Sequence, residues 1–190
     1  FGGGRAVSRW LLDHGCHVRV TDLEDEDRLR SELDALAAET TSERLSFRMG
    51  GHDLADFTAC DLVIANPAVP QPWANPFLNA ARDAGIPVTT EIGLVTERLM
   101  APRVIGVTGS NGKSTTVSMI AHALNRSGTV AHPGGNLGGS LLPMLPRIKP
   151  EDWVVLELSS AMLWWLSPEA GHEWAPGIAV TTNISANHLD

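Results

Sequence analysis

The residues best suited to binding a phosphate lie in a glycine-rich turn between positions 106 and 115. The turn follows an apolar run ending at Val107 and precedes residues 114–125, where apolar side chains recur at helical spacing. Glycines let a backbone approach an anion closely, and the N–H groups at a helix start attract negative charge. Lys113 can reach the terminal phosphates of a nucleotide, and the Ser114 hydroxyl can bind Mg²⁺. The predicted phosphate-binding residues are Thr108, Gly109, Ser110, Asn111, Gly112, Lys113, Ser114 and Thr115.

This turn departs from the general nucleotide-binding loop at one position. The pattern Gly-x4-Gly-Lys-[Ser/Thr] requires glycine where Val107 stands. An ordinary glycine-rich turn between a strand and a helix is the alternative. That alternative does not require a lysine and two hydroxyl side chains directly after the last glycine, so the pattern favours phosphate binding.

Glu157 is the predicted partner of this loop. It ends the very apolar run 153–156, which is typical of a buried strand in a parallel sheet. An acid at the end of a neighbouring strand, together with the loop hydroxyl of Ser114, suits Mg²⁺ bound to a nucleotide. The alternative is a glutamate that caps a local turn through Ser159 or Ser160.

His188 is a further candidate because it follows another apolar run, residues 178–184, which predicts a second central strand. On spacing alone, a histidine at this position is more often a surface or core residue than a ligand. His132 and the pair Trp164 and Trp165 are assigned no role in the site.

The first hundred residues predict strands that alternate with helices, as in a parallel sheet. Strands are predicted at residues 18–22, 45–49, 61–65 and 87–90, and helices after Gly4, at 25–38 and at 76–84. Such sheets bind ligands beyond the carboxyl ends of their strands. The residues predicted at those ends are Gly2, Gly3, Gly4, Asp22, Asn66 and Pro67.

The glycine cluster and Asp22 match part of a dinucleotide-binding pattern. Glycines in a strand-to-helix turn, followed about twenty residues later by an acid, are typical of a fold that binds a ribose hydroxyl. Only part of that pattern is present. A helix cap at Asp22 and a plain turn at Asn66 and Pro67 remain open alternatives.

Composition and charge exclude several classes of protein. The 190 residues are 43% hydrophobic and contain no apolar run long enough to span a bilayer. A net charge of −8 argues against a broad nucleic-acid-binding surface. The two cysteines, Cys16 and Cys60, have no paired spacing, which favours a reducing, cytoplasmic setting without a zinc site.

The pattern of elements predicts two domains, residues 1–101 and 102–190, joined near Pro102. The chain begins at a glycine cluster without a preceding strand and stops shortly after an apolar strand. We therefore expect an internal fragment of a longer protein.

Four motifs in this order resemble the Mur ligases of peptidoglycan synthesis. They are residues 108–115, 134–138, 157–160 and 183–190. The family likewise lacks glycine at the position of Val107, which accounts for the departure from the general loop. The resemblance implies an α/β protein, with a Rossmann-like UDP-binding domain followed by part of a P-loop ATPase-type parallel-sheet domain. It also implies a C-terminal domain that lies outside these 190 residues.

The activity implied by the resemblance is ATP-dependent amide ligation. UDP-N-acetylmuramoyl-L-alanine and D-glutamate are the implied substrates, ATP and Mg²⁺ the implied cofactors, and an acyl phosphate the intermediate. Lys113 would then stabilise the transferring phosphoryl group, Ser114 and Glu157 would hold Mg²⁺, and His188 would serve a second metal. By the same resemblance, Asn136 lies near the substrate diphosphate and Ser159 beside the substrate. We expect a monomer without nucleic-acid partners or membrane insertion.

Two segments depart from the family. Residues 161–164 replace a common Phe-Gln-Leu-Glu sequence, and Ala186 and Asn187 stand where acids are common. The alternatives left open are another Mur ligase, a folylpolyglutamate-type synthase, or a nucleotide-binding module without catalysis. Because the carbamylated lysine of the family lies beyond Asp190, we do not expect these residues alone to catalyse ligation.

Overall fold

The structure, a computed structural model, describes residues 2–39 and 43–185. The chain divides into two compact units, residues 1–91 and 92–190, whereas the sequence predicted the boundary between residues 101 and 102. Both units contain parallel strands and helices, so the predicted α/β class is confirmed. In the described parts of the chain, no helix combines the length and apolar character needed to cross a bilayer.

The first unit contains two separate pairs of parallel strands. Strand β1 pairs with β2, and β3 pairs with β4. Its elements are α1 (Gly2–Asp13), β1 (Val18–Thr21), α2 (Glu26–Glu39), β2 (Leu45–Arg48), α3 (Leu54–Thr58), β3 (Val63–Ala65), α4 (Pro76–Asp83) and β4 (Val88–Thr90).

The glycine cluster lies inside helix α1 and not in the predicted strand-to-helix turn. Glycine costs roughly 1 kcal/mol relative to alanine in a helix, which tertiary packing can override. Here Val7 and Leu12 are buried, and the Ser8 hydroxyl donates a 2.9 Å hydrogen bond to the Gly4 carbonyl. The helical pattern downstream therefore extends back through the glycines.

The second unit is built on one parallel sheet with the strand order β6-β7-β5-β8. Its elements are α5 (Glu91–Thr96), a 3-10 turn (Ala101–Arg103), β5 (Val104–Thr108), α6 (Lys113–Arg126), β6 (Ala131–Gly135), a 3-10 turn (Leu142–Arg147), β7 (Trp153–Glu157), α7 (Ser160–Trp165), a 3-10 turn (Pro168–Ala170) and β8 (Ile178–Thr181).

The core of this sheet sets the position of the predicted loop. Val107 on β5 and Val155 on β7 pack with Val117 and Ala121 on the inner face of α6. The parallel register pairs Val107 with Glu157, so the carboxyl ends of β5 and β7 lie side by side. The loop between β5 and α6 therefore emerges next to Glu157.

Strand β8 differs from its prediction. The sequence predicted a central strand over residues 178–184, whereas β8 is shorter and lies at the end of the strand order. Ile178 is 45% exposed and Ile184 is 89% exposed. A continuous apolar run does not reveal how many of its faces are covered, which is why it predicted a buried strand.

Candidate active site

The predicted phosphate-binding loop connects β5 to α6 through two glycines with positive φ. Gly109 has φ 132° and Gly112 has φ 79°, values that favour glycine. Gly112 is the N-cap of α6 and provides no side-chain cap, while the first helical hydrogen bond runs from the Thr116 N–H to the Gly112 carbonyl. The first-turn N–H groups of an α-helix have no partner within the helix, and they are suited to binding an anion.

Lys113 lies folded over this loop. Its Nζ donates to the carbonyl of Gly109 at 2.7 Å and to that of Ser110 at 3.1 Å. Within the described residues, no carboxylate lies within ion-pair distance of this ammonium. Phosphate oxygens can replace the two carbonyls as acceptors without breaking a buried ion pair.

Glu157 is buried, with 3% of its surface exposed, and faces the start of α6. The Ser114 hydroxyl donates a 2.7 Å hydrogen bond to its Oε2. Ser159 instead caps α7 by accepting from the Met162 N–H at 3.2 Å. The carboxylate of Glu157 is therefore directed to the loop hydroxyl, as the metal hypothesis requires.

Asn136 contacts Glu157 through its side chain and its backbone, and the sequence did not predict this contact. Its Nδ2 donates to Glu157 Oε1 at 3.2 Å, and its backbone N–H donates to the Glu157 carbonyl at 2.9 Å. Gly135, with φ 82°, allows this approach because a Cβ there would collide with the same carbonyl. The glycine pair before Asn136 was the available sequence signal for a close backbone contact.

The hydroxyl of Ser114 and the carboxylate of Glu157 form a pair of oxygen donors that suits Mg²⁺. Nucleotide-bound Mg²⁺ commonly uses one or two protein ligands, with phosphates and water supplying the rest. In residues 2–39 and 43–185, no cluster of three His, Cys, Asp or Glu side chains suited to a metal occurs. The two oxygen donors of Ser114 and Glu157 match the number that a nucleotide-bound Mg²⁺ ion uses. The third predicted ligand, His188, lies outside the described residues.

A third segment reaches the loop from the end of β8. The backbone N–H of Ser110 donates to the Asn183 carbonyl at 3.0 Å, and the Asn111 N–H donates to Asn183 Oδ1 at 3.1 Å. Sequence reasoning assigned no role to Asn183. The available signal was that Asn183 begins the fourth motif, residues 183–190.

The candidate residues of the first unit have local partners. Asp22 Oδ1 accepts from the Glu24 N–H at 3.0 Å, and Asn66 Oδ1 accepts from the Ala68 N–H at 3.0 Å, in the turn that contains Pro67. These are the contacts of short turns. The predicted substrate-binding roles of Asp22, Asn66, Pro67 and Gly2 to Gly4 stay predictions.

His52 lies beside the end of β1 and was not singled out from the sequence. Its Nδ1 lies 2.8 Å from Thr21 Oγ1, and its ring packs edge-on against Phe57 and Phe77. Burial lowers the pKa of His52. Its contacts indicate a packed, neutral imidazole.

Comparison with known proteins agrees with the motifs. Residues 107–190 match the family model of the Mur ligase middle domain. The chain is 39% identical over 189 residues to the UDP-N-acetylmuramoylalanine–D-glutamate ligase of Geobacter metallireducens. It is 36% identical over 187 residues to the ligase of the same name from Trichlorobacter lovleyi. Each alignment includes 98% of this chain and 39% of the relative.

A solved structure supports the fold. It is the UDP-N-acetylmuramate:L-alanyl-gamma-D-glutamyl-meso-diaminopimelate ligase from Neisseria meningitides, with a TM-score of 0.55 and 21% identity. The match covers 99% of this chain and 58% of that one. The two curated relatives are longer than this chain, which spans 39% of their length. Residues 107–190 thus belong to the Mur ligase middle domain family, and similarity to ligases of this family extends along the chain.

Proposed function

We propose that the protein containing this chain is an ATP-dependent ligase that joins D-glutamate to UDP-N-acetylmuramoyl-L-alanine in peptidoglycan synthesis. The observation that carries the proposal is the 2.7 Å contact between Ser114 and the buried Glu157 beside the loop. Relatives named for this activity at 36–39% identity support the choice of substrates.

The proposed reaction transfers a phosphoryl group before it forms the amide. The carboxylate of the L-alanyl group attacks the γ-phosphorus of ATP, and ADP leaves. The amine of D-glutamate then attacks the carbonyl of the acyl phosphate, and the amide forms as inorganic phosphate leaves and the amine loses a proton. Such a reaction depends on positioning and on stabilising charge along the phosphoryl oxygens.

Lys113 and the first turn of α6 serve the phosphates in this proposal. The ammonium of Lys113 exchanges the carbonyls of Gly109 and Ser110 for phosphate oxygens, and the N–H groups of Ser114 and Thr115 donate to the same tail. Residues 108–112 form the turn that brings these donors together. No large rearrangement of the loop is required, because the acceptors of Lys113 are uncharged.

Ser114 and Glu157 would hold Mg²⁺, and Asn136 keeps the Glu157 carboxylate oriented. The ion would neutralise charge on the β- and γ-phosphates. His188 is proposed as the ligand of a second ion by family resemblance. Ser159 and Asn136 are proposed to lie near the UDP-substrate.

The first unit is proposed to bind the UDP moiety through Gly2 to Gly4, Asp22, Asn66 and Pro67. The support is that Asp22 follows the carboxyl end of β1, and Asn66 and Pro67 follow that of β3, whereas Gly2 to Gly4 lie in the first turn of α1. A cytoplasmic location is proposed because ATP is the phosphoryl donor and both cysteines are free thiols.

The test is ligation by the full-length protein, measured as ADP release that depends on UDP-N-acetylmuramoyl-L-alanine and D-glutamate. Lys113→Ala should abolish this release because the terminal phosphates lose their ammonium. Lys149→Ala is the matched control, since Lys149 is exposed and precedes the amino end of β7. Undiminished turnover in Lys113→Ala, or ADP release with another amino acid but not D-glutamate, would contradict the proposal.

A further inference from the structure

The segment after β8 continues the strand pairing into the phosphate-binding loop. The β5–β8 ladder ends with the pair Thr108 and Thr181. Beyond it, the Thr182 N–H donates to the Thr108 carbonyl at 3.0 Å, and the Ser110 N–H donates to the Asn183 carbonyl at 3.0 Å. The loop is therefore attached to this segment on one side.

The side chain of Asn183 provides a second attachment. Its Oδ1 accepts from the Asn111 N–H at 3.1 Å, and its Nδ2 donates to the Asn111 carbonyl at 2.9 Å. One carboxamide thus satisfies both backbone groups of Asn111, as a neighbouring strand would. The Thr182 hydroxyl also donates to the Asn111 carbonyl at 2.7 Å.

A serine pair closes the same junction. The Ser110 hydroxyl donates to the Ser185 carbonyl at 3.0 Å, and the Ser185 N–H donates back to that hydroxyl at 2.9 Å. The approach is close enough to require glycine at position 109. A Cβ there would collide with the Thr182 hydroxyl and lie 2.8 Å from the Asn183 carbonyl.

These contacts also connect to Lys113 and to the start of α6. Lys113 Nζ is held by the carbonyls of Gly109 and Ser110, and Ser110 is itself held by Asn183. Asn111 directly precedes Gly112, the N-cap of α6. A shift of Asn111 would therefore move both the lysine acceptors and the start of the helix.

We propose that Asn183 is a positioning residue for ATP: its carboxamide fixes the loop in the geometry that binds the terminal phosphates. This inference rests on the proposed function, because it assumes that the loop binds ATP. It adds a residue that touches neither phosphate nor metal and acts through Asn111 and Ser110.

The chain provides a matched control in Asn125. Its Nδ2 donates to the Ala131 carbonyl at 3.0 Å, and its Oδ1 accepts from the Ala131 N–H at 3.1 Å. This is the same two-bond contact with one backbone residue, but it joins the last turn of α6 to β6. Substitution of Asn125 therefore measures how much such a contact contributes to stability at a position away from the loop.

The experiment measures ATP affinity by calorimetry, and kcat and KM for each substrate, in the full-length protein. In Asn183→Ala we expect ATP affinity to fall about tenfold, consistent with the loss of two hydrogen bonds that hold the loop. The KM for ATP should rise while that for D-glutamate stays unchanged. Asn183→Ala and Asn125→Ala should lower the melting temperature by similar amounts. Asn125→Ala should leave ATP affinity unchanged.

Asn183→Asp is a second variant, in case Asn183→Ala fails to fold. It preserves the size of the side chain and the acceptor for the Asn111 N–H but removes the donor to the Asn111 carbonyl. We expect it to weaken ATP binding as well. Equal losses of ATP affinity in the Asn183 and Asn125 variants, or unchanged affinity in both Asn183 variants, would overturn the positioning role. Failure of the wild-type protein to bind ATP would instead overturn the proposed function, and the inference with it.

Discussion

The two units use the polar residues at their strand ends differently. In the second unit, Ser114 contacts Glu157 across 43 residues of sequence, and Asn111 contacts Asn183 across 72. In the first unit, Asp22 and Asn66 each bind a backbone N–H two residues further along. Long-range contacts bring separate strands together at a site, whereas two-residue contacts only shape a turn.

The candidate residues of the second unit are connected to one another, whereas those of the first unit have local contacts. The loop, Glu157 and Asn136 are already joined by hydrogen bonds in the second unit. In the first unit, Asp22 Oδ1 accepts from the Glu24 N–H, and among the described residues no comparable network joins Asp22 to the other candidates. We therefore expect substitutions in the second unit to have the larger effects on activity.

The largest effect is expected for Glu157→Gln in the second unit. The amide keeps the size of the side chain but loses the charge that we propose binds Mg²⁺, so we expect kcat to fall on the order of 10²–10³-fold. Glu169→Gln, at an exposed glutamate, is the control. A Glu157→Gln enzyme with normal kcat at ordinary Mg²⁺ concentrations would show that the carboxylate does not serve the metal.

Gly109→Ala should come next. The added Cβ collides with Thr182 and forces the loop off the segment after β8, so we expect the KM for ATP to rise roughly ten- to hundredfold. Gly128→Ala is the matched control, because Gly128 has φ 86° but open space around its Cβ position. If both variants change the KM for ATP equally, backbone strain rather than the collision is responsible.

Asp22→Asn tests the candidate residue of the first unit, where we expect a smaller effect. Asparagine can still accept from the Glu24 N–H but cannot offer a charged oxygen to a ribose hydroxyl. We expect the KM for the UDP-substrate to rise about tenfold, consistent with a lost hydrogen bond to a charged group. Asp53→Asn, at a residue that caps α3 in the same way, should leave it unchanged. Equal KM values for the UDP-substrate in both variants would show that Asp22 only shapes a turn.

The smallest expected effect is on stability, at Asp152 before β7. Hydrogen bonds from His132 and from the Lys149 N–H hold the pKa of this carboxyl below its usual value. A lowered folded-state pKa contributes stability above the unfolded pKa of about 3.9, and this contribution is lost as pH falls towards the folded value. Asp152→Asn should therefore melt at a lower temperature at pH 7.

The difference in melting temperature between Asp152→Asn and wild type should narrow below about pH 4, where the carboxyl becomes protonated. Thermal unfolding followed across pH 3–7 measures it. A difference that stays constant over this range would mean that charge at Asp152 does not contribute. ATP affinity should be unchanged, which would separate this residue from the loop.

Much of the second unit could be predicted because its signals are local. Residues 104–125 combine an apolar strand, a glycine turn and helical spacing, and the structure has β5 and α6 there. Glu157 was found because a charged residue ended a very apolar run. Such features need no knowledge of the remaining chain.

The predictions that failed depended on tertiary context. Gly2 to Gly4 are glycines that usually indicate a turn, but downstream packing extends helix α1 through them. The apolar run at residues 178–184 does not specify its neighbours, so the exposure of β8 could not be read from it. The contacts of Asn136 with Glu157 and of Asn183 with the loop were not predicted, because they join residues that are distant in the sequence.

The most direct test of the central claim is the effect of Mg²⁺ on ATP affinity in the full-length protein, measured by titration calorimetry. Ser114→Ala removes the loop hydroxyl, and Ser118→Ala removes an exposed hydroxyl one turn further along α6. We expect Mg²⁺ to tighten ATP binding at least tenfold in wild type and in Ser118→Ala, and to have no effect in Ser114→Ala. An undiminished Mg²⁺ effect in Ser114→Ala would contradict the account.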